Sequence, residues 1–316
     1  MKIIINLLNE LKKEDLLNNN NNNSNIVVNN SKLKINKKKS EFTGLKNIGN
    51  TCYLNSVIQI FFMIPELRFL ILSIDDGKDK IKGEYLEDDN MLHQLQILFT
   101  NLLLSSESYV NTQNFFLSLK DSNNAMMTTN QKDSQEFYLE LCDKLETMVN
   151  VLPEKFLIKN FFCGKISHKS TCNSCNNISE NFEEFKSLSI EVENLKNLEE
   201  SLTKYFSEEI IEDYQCSNCN KKVNLNRYTK FSELPNYLVI HLKRIINNFT
   251  TDELIKVNSK FEFDTNLNLK KFSENFQSSG NIQYNNEIKD EEEKYEYLLK
   301  AINVHMGNAE GGHYVR

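Results

Sequence analysis

One cysteine stands where a polar, glycine-containing turn runs into an apolar segment. The turn is Gly44 to Thr51, and Cys52 opens the apolar segment, which continues to Ile64 and is followed by Pro65. This pattern predicts a buried helix that ends near Ile64, with Cys52 at or near its N-terminus. The helix dipole and the free N–H groups of a first turn stabilise negative charge, so a cysteine there favours the nucleophilic thiolate.

An amide and a histidine would complete thiol chemistry. Asn47 lies in the same turn, and its side-chain amide, together with backbone N–H groups, could stabilise a developing oxyanion. A thiol nucleophile also needs a nearby base, usually histidine. His313 follows two glycines, and His305 ends a predicted strand; the spacing alone does not separate these two candidates. The alternative for Cys52 is a buried structural cysteine, with Asn47 as a turn former.

Two C-x2-C pairs form a second group of candidate residues. They are Cys172 with Cys175 and Cys216 with Cys219. Each pair can chelate a metal from a tight turn, and two pairs make a tetrahedral thiolate site for one zinc ion, whose expected role is structural because no coordination position stays open. The long interval between the pairs predicts that they meet at the tips of two long hairpins. A redox dithiol is the alternative, but neither pair has a thioredoxin-like βαβ context.

The elements that must position these residues change character along the chain. Apolar residues at helical spacing predict helices over Met91–Leu103 and Phe137–Met148. Short segments rich in β-branched and aromatic residues predict strands at Tyr237–Lys243, Lys260–Asp264 and Tyr297–His305. A helical half followed by a β half indicates an α+β fold rather than a βαβ repeat.

Two segments have a different composition. Residues 1–40 contain six consecutive Asn, Asn18 to Asn23, and the basic run Lys37 to Lys39. Such a segment buries too little apolar area to offset the entropy of ordering it, so we predict that it is disordered and that one globular domain covers 41–316. The polar segment Ser273–Glu293 is predicted to be a loop between strands.

The composition of the whole chain excludes several functional classes. The 316 residues include 37 basic and 44 acidic side chains, for a formal net charge of −7, which argues against nucleic acid as a partner and permits a basic protein partner. No apolar run approaches the roughly 18–20 residues of a membrane span, and no signal peptide is recognisable. Seven cysteines without a secretion signal indicate a reducing compartment, the cytoplasm or the nucleus.

Five motifs follow one another in a fixed order. They are GLKNIGNTCYLNS from Gly44, QKDSQEF from Gln131, the two C-x2-C pairs, LPNYLVIHLKR from Leu234 and GGHYV from Gly311. Together they resemble the cysteine box, QxDxQEF segment, finger zinc site, central strand and histidine box of the ubiquitin-specific proteases, a family of deubiquitinating cysteine peptidases. The resemblance extends from about Thr43 to the last residue. The sequences of the segments around Met63–Ile74 and Cys219–Val223 are most similar to the very large, fat-facets-type members.

The resemblance implies a role for each candidate residue. Cys52 corresponds to the nucleophile, His313 to the general base and Asn47 to the oxyanion-hole asparagine. His305 corresponds to the second, non-catalytic histidine of the histidine box, which is implied to be a substrate-binding residue. The four paired cysteines correspond to the zinc ligands.

A further acidic group is implied to hold the C-terminal tail of ubiquitin, which carries arginines. Asp133, Gln135 and Glu136 correspond to these substrate-binding residues. The alternative for Asp133 is an N-cap of the helix that runs to Met148, with Glu136 at the capping-box position, and the two roles can coexist.

The implied fold is papain-like, with a helical thumb over about 41–155 that carries Cys52, and β fingers and palm over about 156–316 that carry His313. The implied partners are ubiquitin and ubiquitinated proteins. The implied reaction is hydrolysis of the bond after the terminal Gly of ubiquitin through a thioester on Cys52, with His313 transferring the proton.

The sequence departs from the family at its end. The chain stops at Arg316, and the Asp or Asn that orients the catalytic histidine, with the final palm strands, has no counterpart. Because loss of an orienting residue can lower the rate by several orders of magnitude, a catalytically inactive, truncated ubiquitin-binding module is the alternative to an active hydrolase. A zinc-dependent scaffold unrelated to ubiquitin is a third hypothesis, which intact Cys52, Asn47 and His313 disfavour.

Overall fold

The fold is taken from a computed structural model that describes residues 42–75, 90–119, 131–248, 252–274 and 294–316. The predicted disorder of residues 1–40 and most of the predicted loop Ser273–Glu293 fall outside these residues. The predicted α+β class is confirmed, since helices dominate the first part of the chain and strands the second. The chain divides into two compact units, with the boundary between Ser134 and Gln135.

The first unit is built mainly from helices. Its elements are β1 Gly44–Leu45, α1 Cys52–Phe62, α2 Pro65–Ser73, α3 Met91–Leu104, β2 Tyr109–Val110 and α4 Gln113–Ser118. Helix α1 ends close to the predicted position because Pro65 lacks the N–H that would continue it; Pro65 instead begins α2. The two short strands pair in parallel.

The buried side of α1 follows the expected helical spacing. Leu54, Ile58 and Phe61 are at most 1% exposed and lie on one face of the helix. The next residue, Phe62, meets the ring of Phe99 on α3 edge-on, with the centroids 5.4 Å apart. No single helix among the described residues has the length and apolar character to cross a membrane, and only α1 and α2 together, bent by 94°, meet that criterion.

Among its described residues, the second unit combines three α-helices and a 3₁₀ helix, Lys270–Phe272, with short sheets. Its elements are α5 Ser134–Val149 (which starts at the boundary), α6 Leu157–Phe162, β3 Gly164–Cys172, β4 Ile178–Phe185, β5 Leu188–Glu191, α7 Leu198–Tyr205, β6 Glu209–Gln215, β7 Lys222–Glu233, β8 Ile240–Lys243, β9 Ile245–Asn248, β10 Glu253–Lys256, β11 Asn266–Asn268, β12 Glu296–Leu298, β13 Val304–Gly307 and β14 Gly312–Val315. The four-stranded antiparallel sheet has the order β4-β3-β7-β6. Strands β5 and β8 pair in parallel, and β9–β10, β11–β12 and β13–β14 pair antiparallel.

An aromatic core supports the base of the four-stranded sheet. The ring of Phe206, directly after α7, lies 4.6 Å from Phe231 on β7 and 5.2 Å from Phe272, measured between centroids. Ile166 and Phe185 from β3 and β4 pack into the same cluster. The sheet is therefore fixed at one end by apolar packing, and the hairpins β3–β4 and β6–β7 extend from that end.

The strand predictions are only partly correct. The predicted strand Lys260–Asp264 is wrong, because Glu262 forms only an isolated bridge with Asn197. Helix α7 begins directly after Asn197, so the segment with Asn197 does not continue as a partner strand. Tyr297–His305 is divided between β12 and β13, which pair with different strands. Within Tyr237–Lys243, only the last four residues form a strand.

Candidate active site and cysteine cluster

Cys52 is the first residue of α1, as predicted, and its side chain is buried at 6% exposure. The N–H groups in the first turn of a helix have no intrahelical acceptor, so the positive end of the helix dipole lies at this cysteine. Ordered hydrogen bonding in α1 starts with the N–H of Asn55, which donates to the carbonyl oxygen of Thr51 at 3.0 Å.

The turn before α1 fixes the orientation of the Asn47 amide. The backbone N–H and the hydroxyl of Thr51 both donate to Asn47 Oδ1, at 3.2 and 3.1 Å. A backbone N–H can only donate, so the atom it meets must be the amide oxygen, and the Asn47 nitrogen points away from Thr51. Asn47 is otherwise exposed, and its Nδ2 has no hydrogen-bond partner among the described residues.

Two further polar side chains anchor this turn to α1. Asn55 Nδ2 donates to the carbonyl oxygen of Lys46 at 3.2 Å, next to Asn47, and Gln59 Nε2 donates to the carbonyl of Thr43 at 3.0 Å. These residues and Thr51 were not predicted as functional. The signal that could have found them is their spacing, since polar residues recur every four positions at 51, 55 and 59, from the N-cap into a mostly apolar helix.

The two candidate histidines lie in one hairpin but on opposite faces. His305 on β13 pairs with Tyr314, while His313 on β14 pairs with Met306, and directly paired residues share a face of the ladder. The His305 ring lies 4.8 Å from the Tyr314 ring, whereas His313 is exposed. The geometry therefore distinguishes the two histidines, which the spacing alone did not.

Lys256 holds the strand opposite His313. Its ammonium, at the end of β10, donates to the carbonyl oxygens of His305 and Gly307, both at 2.9 Å. Gly307 has φ of +131°, a conformation that favours glycine. Asn47 and Cys52 both belong to the first unit, in the turn before α1 and at its first residue, and His305 and His313 both belong to the β13–β14 hairpin of the second unit.

The candidate ubiquitin-binding residues lie around the start of α5. Asp133 immediately precedes the helix and Glu136 is exposed in its first turn, where a carboxylate interacts favourably with the helix dipole. Gln135 Nε2 donates to Ser187 Oγ at 3.2 Å. The position of Asp133 fits an N-cap, the alternative given for this residue above.

The four paired cysteines converge at the tips of the two hairpins of the four-stranded sheet, as predicted. Their sulfur atoms lie within 4.8 Å of one another, and Sγ of Cys175 is 3.8 Å from Sγ of Cys216. This cluster can hold a metal ion. Cys172 lies six residues along β3 from Ile166 of the aromatic core, at the opposite end of that strand.

The two turns that present the cysteines have the same backbone geometry. The N–H of Asn176 donates to the carbonyl of Cys172, and the N–H of Asn220 to that of Cys216, both at 2.9 Å. Both asparagines have positive φ, 55° and 52°, which Asn tolerates better than most residues. The Asn after each pair is thus a backbone requirement of the turn.

Hydrogen bonding and burial act differently on two of these thiols. Asn218 Nδ2 donates to Sγ of Cys175 at 3.4 Å and lowers the pKa of that thiol to about 6. Burial instead raises the pKa of Cys219 to about 11. The donor set therefore includes a thiol that is already disposed to be a thiolate, the form in which cysteine binds metals.

These features define a class: an α+β, papain-like fold, with a cysteine at a helix start, a histidine hairpin and a four-cysteine cluster. The chain belongs to the ubiquitin carboxyl-terminal hydrolase family, whose sequence pattern matches residues 43–316. The resemblance drawn from the five motifs is thereby confirmed.

Individual members of the family support the same assignment. The chain is 32% identical over 287 residues to ubiquitin carboxyl-terminal hydrolase 34 of Homo sapiens, covering 88% of this chain and 8% of that protein. It is 31% identical over 303 residues to ubiquitin carboxyl-terminal hydrolase puf of Drosophila melanogaster (86% and 8%), and 30% identical over 297 residues to ubiquitin carboxyl-terminal hydrolase 24 of Mus musculus (88% and 11%). The chain therefore spans about a tenth of the length of these relatives.

Proposed function

We propose that this chain is a deubiquitinating cysteine peptidase domain that hydrolyses the bond after the C-terminal Gly of ubiquitin. The observation that carries the proposal is the start of α1, where Cys52 lies at the positive end of the helix and the preceding turn presents the Asn47 amide. The family membership supplies the substrate class, since the relatives are named as ubiquitin hydrolases.

Each side chain has a definite task in this reaction. The Cys52 thiolate attacks the carbonyl carbon after the terminal Gly, and the resulting oxyanion is stabilised by Asn47 Nδ2 and first-turn N–H groups. His313, which holds the proton that it accepted from the Cys52 thiol, donates this proton to the departing amine and leaves a thioester on Cys52. Water then attacks the thioester and His313 accepts one of its protons, while the Cys52 thiolate is expelled. Ubiquitin leaves as the carboxylic acid, which loses the second proton to solvent.

Substrate contacts are proposed for four residues. Asp133, Gln135 and Glu136 would face the arginine-bearing tail of ubiquitin, to which exposed carboxylates offer charge-assisted hydrogen bonds. His305 is assigned to the substrate side of the hairpin rather than to proton transfer. The thumb at about 41–155 and the fingers and palm at about 156–316 remain the proposed subdivision, and the cytoplasm or nucleus the proposed location.

We propose one structural zinc ion as the ligand of the cysteine cluster. Tetrahedral zinc with Zn–S bonds of about 2.3 Å requires sulfur atoms roughly 3.8 Å apart. The distance of 3.8 Å between the Cys175 and Cys216 sulfurs matches that requirement. With four protein ligands the ion would tie Cys172 and Cys175 on one hairpin to Cys216 and Cys219 on the other.

The test is hydrolysis of ubiquitin that carries a fluorogenic C-terminal amide by the zinc-loaded full chain. Cys52→Ala is expected to abolish release of the fluorophore because it removes the nucleophile. Cys163→Ala is the matched control, since Cys163 is half-buried between α6 and β3 and has no assigned role. Hydrolysis that persists in Cys52→Ala would contradict the assignment of the nucleophile. Binding of ubiquitin without hydrolysis by the unsubstituted chain would indicate the inactive ubiquitin-binding module instead.

A further inference from the structure

Thr51 is a polar residue with no exposed surface, directly before the nucleophile. It occupies the N-cap position of α1, yet its side chain makes no capping hydrogen bond to the helix. A threonine at this position ordinarily accepts a hydrogen bond from an N–H of the first turn. The hydroxyl of Thr51 therefore has another function in this structure.

The hydroxyl turns back into the loop and links two of its residues. Thr51 Oγ1 accepts a hydrogen bond from the N–H of Ile48 at 3.3 Å and donates to Asn47 Oδ1 at 3.1 Å. The Ile48 N–H can only donate, so the hydroxyl proton is directed to Asn47. The Ile48 N–H thus sets the direction of the hydrogen bond from the Thr51 hydroxyl to Asn47 Oδ1.

Two donors from Thr51 meet one oxygen of Asn47. The backbone N–H of Thr51 donates to Oδ1 as well, at 3.2 Å, so both acceptor sites of the amide oxygen are used. Rotation of the amide by half a turn would place its NH2 group against these two donors and lose both bonds. The exposed Asn47 side chain is therefore held in one orientation, with Nδ2 outward.

We propose that Thr51 is a positioning residue that orients Asn47 as an oxyanion donor, an inference that rests on the proposed function. Stabilisation of an oxyanion is effective only when the donor is already in place and needs no reorganisation during the reaction. Loss of the Thr51 hydroxyl leaves one of the two bonds to Oδ1, so the amide gains alternative orientations. The defect appears in the chemical step and leaves ubiquitin binding unchanged.

The test compares Thr51→Val and Thr51→Ala, which lack the hydroxyl, with Thr51→Ser, which retains it. We expect kcat for the fluorogenic ubiquitin amide to fall about 10-fold in the first two variants, less than the 10²–10³-fold loss typical of removing an oxyanion donor. KM is expected to stay within about twofold, and Thr51→Ser is expected to recover most of the activity. Thermal unfolding shows whether each variant is folded. Two variants without the hydroxyl are used so that, if one of them fails to fold, the other still tests the proposal.

Two comparisons separate positioning from a general structural effect. In an Asn47→Ala background, Thr51→Val should have no further effect on kcat, because the group it orients is absent. Alkylation of Cys52 by iodoacetamide forms no oxyanion, so its rate, measured by mass spectrometry of the Cys52 peptide, should equal that of the unsubstituted chain. Alkylation slowed as much as hydrolysis would overturn the proposal.

The inference and the function fail in different ways. Hydrolysis that depends on Cys52 but is unchanged in Thr51→Val overturns the role of Thr51 and leaves the peptidase intact. If Thr51→Val lowers kcat as much in the Asn47→Ala background as in the unsubstituted chain, the positioning role of Thr51 is also overturned. Absence of any Cys52-dependent hydrolysis overturns the proposed function and, with it, the inference.

Discussion

Three polar side chains, one at the N-cap of α1 and two within the helix, attach the preceding loop to the helix that begins with Cys52. Thr51, Asn55 and Gln59 are spaced by four residues, so they lie in one row along the helix. Each forms a hydrogen bond to the segment 43–48. The loop that carries Asn47 is thus attached to the helix that carries Cys52 by side-chain hydrogen bonds.

The residue scale is where prediction from the sequence was least complete. The position of Cys52 at a helix start and the meeting of the four paired cysteines could be predicted from residue type and spacing, whereas the catalytic roles of Cys52 and Asn47 stay predictions. The orientation of Asn47 could not be predicted, because it depends on which atoms of Thr51 and Ile48 face it. Such a three-residue hydrogen-bond arrangement has no periodic pattern.

Gly312 is a position where one added carbon should disrupt the histidine hairpin. A Cβ there would lie 2.2 Å from the carbonyl oxygen of Met306 and 2.5 Å from His305 Nε2. The Met306 oxygen is backbone and cannot give way without opening the β13–β14 pairing. We expect Gly312→Ala to lower kcat/KM by about 10²-fold, the loss typical of a displacement of roughly 1 Å at a reacting group.

The control for this substitution is Gly44→Ala, where the added carbon would meet its nearest neighbour at 3.5 Å, an ordinary contact. Activity within about twofold of the unsubstituted chain is expected there. Equal activity in the two variants would contradict the argument that close backbone approach is required at Gly312.

Phe206 tests the contribution of the aromatic core to stability. Its ring contacts those of Phe231 and Phe272 and is 7% exposed. We expect Phe206→Ala to lower the free energy of unfolding by about 3–5 kcal/mol, because a large side chain is lost and a cavity remains. Urea denaturation measures this change. Phe182→Ala, at a ring that is 58% exposed, should change the same free energy by less than about 0.5 kcal/mol.

At the scale of the elements, an ammonium group from outside the hairpin β13–β14 donates hydrogen bonds to it. Lys256 on β10 donates to two carbonyl oxygens of β13, one on each side of Met306. Met306 is the residue paired with His313. Strand β10 thus acts as a support for the strand beside the proposed base.

Lys256→Met removes this charge while preserving the length of the side chain. We expect kcat to fall several-fold and the backbone amides of β13 and β14 to exchange hydrogen faster, because the two carbonyls lose their charged donor. Hydrogen exchange followed by mass spectrometry measures the second effect. Lys243→Met, at an exposed lysine on β8, is the control, and identical exchange in both variants would contradict the supporting role.

Elements were predictable where the pattern was long and periodic. The helices over 91–104 and 134–149 lie within a few residues of their predicted limits, because several apolar turns define each of them. The short strands were less predictable. Lys260–Asp264 has alternating aromatics, yet it lacks a partner strand, and availability of a partner is a property of the fold and not of the segment.

For the whole molecule, the cysteine cluster allows a prediction about which part of the fold would depend on the proposed zinc ion. All four cysteines lie in the second unit, on hairpins of the four-stranded sheet. We expect chelation of the metal to reduce hydrogen-exchange protection in β3, β4, β6 and β7, because binding energy at such a site contributes directly to folding. Protection in α1 and α3 should persist, since neither helix contributes a ligand.

The same experiment on a Cys172→Ser, Cys216→Ser double variant provides the control. That variant should have reduced protection in these strands even without chelator, and chelator should add little. Uniform loss of protection across α1, α3 and the strands on chelation would show that the dependence on metal is not local to the sheet.

The strand order β4-β3-β7-β6 has a consequence for how the chain is made. Strand β7 pairs with both β3 and β6, but it follows β3 in the sequence by about fifty residues. At translation rates of about 5–20 residues per second, the inner edge of β3 emerges from the ribosome on the order of several seconds before its partner does. During that interval an open strand edge and two unliganded thiols are exposed together, so nascent chains have a window for mispairing with one another.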